Sequence, residues 1–182
     1  MNKWDKYYLG VCNTVSTNSE CLSRKIGSII VNDKSIVSTG YNGPPRGVSG
    51  CTERHMLGDT KLRDLLRQAK AIPELIDSEY LQYLSKCPRQ LLGFESGEGL
   101  DWCIAGHAER NSLINAARHG IATNGCIMYM NCGIPCIPCL IEIINAGISE
   151  IVVTKLDIYD KEPSVTEYLL KESDLKVRLY EI

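Results

Sequence analysis

From residue 107 to the C-terminus the apolar pattern changes period again and again, and this alternation limits the fold more than any other feature. Residues 107–119 carry Ala108, Leu113, Ile114 and Ala117 near helical spacing and stop at Gly120. Strand-like runs at 126–130, 151–154 and 177–180 are separated by helical stretches at 136–146 and 164–171. Upstream, residues 3–18 place Tyr7, Tyr8, Val11 and Val15 near helical spacing. Two β-branched runs, 26–31 and 36–41, meet at Asn32-Asp33-Lys34 and predict a hairpin. A hairpin followed by alternating helices and strands predicts an α/β protein with one sheet and helices on both faces.

The segment between these parts has a different character. Residues 40–47, rich in Gly and Pro, form a loop. Asp59 or Thr60 can cap a helix with Leu62, Leu65, Leu66 and Ala69 on one side; Pro73 interrupts, and a second helical stretch holds Tyr80, Leu81 and Leu84. The 182 residues therefore read as one domain, 1–182, with a helical insertion over about 54–86.

Charge and cysteine content narrow the function. Lys and Arg number 20 against 22 Asp and Glu, a net charge of −2, which argues against a partner made of polymeric nucleic acid. No apolar run approaches the ~20 residues of a membrane span, and the N-terminal residues carry no signal-peptide pattern. Nine cysteines cannot all pair, so the expected setting is a reducing cytoplasm, where cysteines serve as core residues, metal ligands or catalytic groups.

Two short segments concentrate the chemistry. His107-Ala108-Glu109 opens one helix, and Pro135-Cys136-Ile137-Pro138-Cys139 opens another. The spacing of Cys136 and Cys139 puts both sulfurs on one face of a first turn, where prolines are tolerated because those N–H groups have no intrahelical partner. The positive end of the helix dipole favours the thiolate. Two thiolates and one imidazole make a three-ligand set that leaves a fourth zinc position for water. Glu109 is not needed as a ligand and is free to move protons as base and acid.

Together these segments match the signature of zinc deaminases acting on nucleobases. The chain resembles the cytidine and deoxycytidylate deaminase superfamily, and within it the deoxycytidylate (dCMP) deaminases. The resemblance rests on Cys21-Leu22-Ser23-Arg24-Lys25-Ile26-Gly27, Gly40-Tyr41-Asn42-Gly43-Pro44-Pro45, His107-Ala108-Glu109-Arg110-Asn111, the Pro135–Cys139 segment and Asn145-Ala146-Gly147-Ile148. It implies a three-layer α/β/α fold with a mixed five-stranded sheet. It also implies hydrolysis of dCMP to dUMP for thymidylate synthesis, a homohexamer, activation by dCTP with Mg²⁺ and inhibition by dTTP. On the same ground Lys25, Asn42 and Tyr159 are expected to bind substrate, and Tyr41 and Arg118 are candidates for effector binding. Ser112 stands where the family commonly has alanine, a departure expected to matter little.

Cys21, Cys51, Cys87 and Cys103 form a second set, each in a loop-like or Gly/Pro-flanked context. The stretch from Cys87 to Glu98 resembles bacterial and phage relatives with a second, structural zinc, for which four thiolates would close a tetrahedral site; His55 is a possible substitute ligand. Cys12, Cys126 and Cys132 lie in apolar periodic stretches and read as core. Two other readings stay open. A deaminase of free cytidine, or of a base in RNA or single-stranded DNA, has the same metal ligands, but a polymer-binding one should show a basic track with aromatic residues. A non-enzymatic zinc-stabilised module gives no reason for Glu109.

Overall fold

The computed structural model describes residues 2–56, 59–69, 85–158, 160 and 162–181. Helix α1 (Lys3–Ser16) precedes strands β1 (Gly27–Asn32) and β2 (Ser35–Tyr41), followed by helices α2 (Cys51–Met56), α3 (Thr60–Gln68) and α4 (Pro88–Leu91). A 3-10 turn at Leu100–Trp102 leads to α5 (Ala108–Arg118), β3 (Ile127–Met130), α6 (Ile137–Asn145), β4 (Glu150–Val153), α7 (Pro163–Glu172) and β5 (Lys176–Leu179). The second helical stretch expected around Tyr80 to Leu84 lies outside the described residues. Two compact units result, one made of Met1–Ser19, Ile26–Asn42 and Gly106–Ile182, the other of Glu20–Lys25 and Gly43–Ala105.

The first unit holds the expected mixed sheet, in the order β2-β1-β3-β4-β5. β1 runs antiparallel to β2 and β3, while β3, β4 and β5 are parallel. Parallel neighbours need a crossover, and α6 and α7 supply the two. Alternate residues of each strand face opposite sides. Ile29, Val31, Tyr129 and Val152 bury against Tyr8 and Cys12 of α1. Ile30, Met128, Met130, Ile151 and Val153 bury against Ala116 of α5 and Leu140 and Ile143 of α6, with Leu169 and Leu170 of α7 packed on the same cluster. The layers are thus α1, the sheet, and α5 to α7.

The hairpin turn has left-handed backbone at both central residues, Asp33 (φ 43°) and Lys34 (φ 62°), the geometry whose twist suits two-residue hairpins. The Tyr8 hydroxyl fixes this turn by donating to the Lys34 carbonyl at 2.9 Å. Helix α5 lies very close to β2. A Cβ at Gly40 would stand 2.3 Å from the Ser112 nitrogen and 2.4 Å from the Ala108 oxygen. Along the same helix Asn111 and Asn115 donate their side-chain amides to the carbonyls of Tyr41 and Thr39, both at 2.8 Å.

In the second unit Asp59 caps α3, accepting the Leu62 N–H at 3.0 Å. Leu62 and Leu66 bury against Leu91, Leu92 and Trp102. Arg54 ties the parts together, paired with Asp59 at 2.7 Å and donating to the Trp102 carbonyl at 2.8 Å.

Candidate metal centre and active site

Both segments singled out in the sequence become helix starts in the first unit. His107 is the N-cap of α5 and Cys136 the N-cap of α6, and neither uses its side chain to cap its own helix. Those side chains meet each other instead. Nδ1 of His107 lies 3.3 Å from Sγ of Cys136 and 3.2 Å from Sγ of Cys139. Among the described residues, these three form the one group whose potential ligand atoms all lie within 4.8 Å of one another. Zinc with ordinary bond lengths and tetrahedral angles would set sulfur and nitrogen about 3.5 Å apart, so the donor set fits that ion.

The charges inside the group are interdependent. The hydrogen bond from Cys139, and then His107 beside it, hold the Cys136 thiol well below the usual thiol range. The Cys139 thiol is pushed up by its bond to Cys136 and by burial, while the bond to Cys136 raises His107. His107, Cys136 and Cys139 would hold a divalent cation as one imidazole and two thiolates, the thiol protons being released on binding.

Glu109 is 4 % exposed and sits in the first turn of α5, where the helix dipole favours a negative charge. It follows His107 by two residues on the same turn, and its charge raises both His107 and Cys139. The two helices carrying the ligands are also paired at their exposed sides by Arg110 and Glu142 at 2.8 Å.

Asp160 was not singled out in the sequence. Its Oδ2 accepts the N–H of Ile137 at 3.0 Å and the hydroxyl of Thr166 at 3.2 Å. Pro138 has no N–H, and Cys136 provides no side-chain cap, so Asp160 does the capping of the metal-binding turn from 23 residues away. No local motif marks this residue; it is one aspartate in a loop.

The remaining expected site residues fall as follows. Asn42 is buried, and its Oδ1 accepts the Ile26 N–H at 2.7 Å and the Ser19 hydroxyl at 2.9 Å. This work for the fold explains its burial. Tyr41 and Arg118 are exposed on the first unit, and Lys25 is exposed in the second. Tyr159 and the side chain of His55 lie outside the described residues. Cys12 and Cys126 are buried, and Cys132 packs against the core around Met128. Cys21, Cys51, Cys87 and Cys103 line one cavity of the second unit together with Trp102. Burial, then the neighbouring Cys87, Cys103 and Cys21, push the Cys51 thiol up to about 11. The four sulfurs are not gathered as closely as the His107 group.

Comparison with known proteins extends this picture. The model of the cytidine and deoxycytidylate deaminase zinc-binding region matches residues 2–155. The deoxycytidylate deaminase of Schizosaccharomyces pombe is 28% identical over 97% of this chain, and that of Mycobacterium phage D29 is 29% identical over 84% of it. The chain spans 44% of the fission-yeast protein but 94% of the phage protein. The crystal structure of cyanophage S-TIM5 dCMP deaminase, in complex with dCMP and dUMP, superposes with a TM-score of 0.61 at 19% identity, covering 98% of both chains. That likeness establishes the fold. Among the described residues no helix is long and apolar enough to cross a membrane. Since the family match runs through both helix starts that gather His107, Cys136 and Cys139, the chain belongs to the cytidine and deoxycytidylate deaminase family.

Proposed function

We propose that this chain deaminates dCMP hydrolytically, converting dCMP and water to dUMP and ammonia, with zinc held by His107, Cys136 and Cys139. The observation that carries this reading is a buried glutamate, Glu109, on the same helix turn as one member of a three-ligand group. When bound, zinc supplies a water acidified toward neutrality. Glu109 accepts a proton from the attacking water and delivers it to the ring nitrogen next to the reacting carbon. It then takes the remaining proton of the added hydroxyl and passes it to the departing amine as the carbonyl forms and the C–N bond breaks, so one carboxylate serves as base and acid with no net proton change. Two helix N-termini aimed at the site favour negative charge there.

Deoxycytidylate as substrate is supported by the names of the fission-yeast and phage relatives. The net charge of −2 disfavours a polymeric substrate. Ammonia release from dCMP, cytidine and a cytosine oligonucleotide, measured side by side, tests this reading. Turnover is expected for dCMP above the other two, and faster release from either of them overturns the substrate assignment.

The reading extends to supply of dUMP for thymidylate synthesis, in a cytoplasmic homohexamer activated by dCTP with Mg²⁺ and inhibited by dTTP. Exposed Ile114 and Ile141 offer apolar surface on the helices of the site, and exposed Tyr41 and Arg118 are the effector candidates. A rate curve in dCMP unmoved by either nucleotide excludes this control while leaving the chemistry intact. A second zinc on Cys21, Cys51, Cys87 and Cys103 is supported by the cavity they share. Metal analysis of unchelated protein should then give two zinc ions per chain, and a ratio of one ends that part.

A further inference from the structure

A set of buried serines crosses from the sheet to the helix that carries Glu109. Ser28 on β1 and Ser112 on α5 are both fully buried, with their hydroxyl oxygens 3.2 Å apart. Ser112 also reaches back along its own helix, donating to the carbonyl of Glu109 at 2.7 Å. Ser38 on β2 donates to the Ser112 carbonyl at 2.7 Å. Each hydroxyl has one proton, which fixes the direction of the set. Ser112 spends its proton on the Glu109 carbonyl, so Ser28 must be the donor in the pair. The order runs Ser28 to Ser112 to the peptide of Glu109, while Ser38 holds Ser112 from a second strand.

This arrangement needs the close approach of β2, which Gly40 permits by having no side chain against the nitrogen of Ser112. A hydroxyl buried this deeply is costly without a partner, so the Ser112 side chain is held in one rotamer by Ser28 and the Glu109 carbonyl, while Ser38 fixes the Ser112 main chain from β2. The expectation that Ser112 matters little does not follow from where the structure puts it.

We propose that Ser112, oriented by Ser28, is a positioning residue for Glu109: it fixes the peptide from which the proton-carrying carboxylate projects. The proposal rests on the deaminase reading above. It gives Ser28 no route to the reaction except through Ser112, and this makes the effects of the two residues non-additive.

The test compares the parent chain with S28A, S112A and S28A/S112A in dCMP deamination, with zinc content and folded fraction measured in each preparation. S112A should lower kcat about tenfold, short of the ~10²-fold that a full misplacement can cost, with KM and zinc unchanged. S28A should lower kcat by a smaller factor in the same direction. The double variant should match S112A. Independent, multiplying losses overturn the proposal, as does an S112A kcat equal to the parent's at equal folded fraction. If S112A does not fold, S28A alone decides: a lower kcat at unchanged KM and zinc content supports the proposal, and an unchanged kcat overturns it. A parent chain without dCMP turnover would instead defeat the deaminase reading, an outcome visible before any variant is made.

Discussion

Asp5 on α1 and Arg178 on β5, 173 residues apart, are joined by two hydrogen bonds of 2.6 and 3.0 Å. The carboxylate is fully buried and also accepts the Glu181 N–H at 2.9 Å. Burial alone would raise this carboxyl, but the hydrogen bonds from Arg178 and Glu181 and the charge of Arg178 outweigh it and hold Asp5 below its ordinary value. A depressed carboxyl stabilises the fold fully above its unfolded value, and the contribution is lost as pH falls through the lower folded value. D5N should therefore cost roughly 3 kcal/mol near neutrality, as expected when one partner of a buried pair loses its charge. Thermal unfolding from about pH 7 down to about pH 3 should show the two proteins converging at the acid end. A gap that stays constant with pH would contradict the charge argument.

E109Q preserves the shape of the buried carboxylate and removes its capacity to take up and release a proton. Turnover of dCMP should drop at least ~10²-fold, the lower range for general acid–base catalysis. Zinc content by mass spectrometry and binding of dCMP by calorimetry should persist. Near-parent turnover would remove Glu109 from its role.

D160A leaves the Ile137 N–H without its acceptor at the turn that bears both metal-binding thiols. Removing an outer partner of this kind costs roughly 10–100-fold in metal affinity. Chelator competition should show faster zinc loss in D160A, while D160N, which retains an acceptor oxygen, should stay near the parent. Equal zinc retention by D160A and the parent would assign Asp160 to the fold alone.

G40A places a methyl group against the backbone of α5, which has no side chain to swing aside. The helix must lift from β2, at a cost of about 1–3 kcal/mol typical of overpacking. A lower melting temperature together with reduced kcat is the expected result, read by calorimetry and by ammonia release. An unchanged kcat would mean that α5 can shift on β2 without disturbing Glu109.

The parts legible in the sequence were those encoded locally. Short β-branched and apolar runs marked the five strands, and helical spacing marked α1, α3 and α5 to α7 within a residue or two of their ends. The ligand group was legible because each half is a short motif at a helix start, so spacing alone put the donors on the right face. Asp160 and the serine set were not, because their partners lie far away in the chain: 23 residues for Asp160 and Ile137, 84 for Ser28 and Ser112. Periodicity also drew the insertion at about 54–86, whereas the second compact unit takes in Glu20–Lys25 and all of Gly43–Ala105. Loops joined by tertiary contacts carry no period to detect.

The asparagines of α5 have a consequence for how this protein meets other chains. β2 is an outer strand, and such a strand ordinarily offers its free carbonyls as a template for pairing with another chain. Here the carbonyls of Thr39 and Tyr41 are already taken by Asn115 and Asn111 from the helix that carries the glutamate. The helix thereby occupies two of the outward carbonyls at this end of β2, which blunts that part of the edge as a template for another strand.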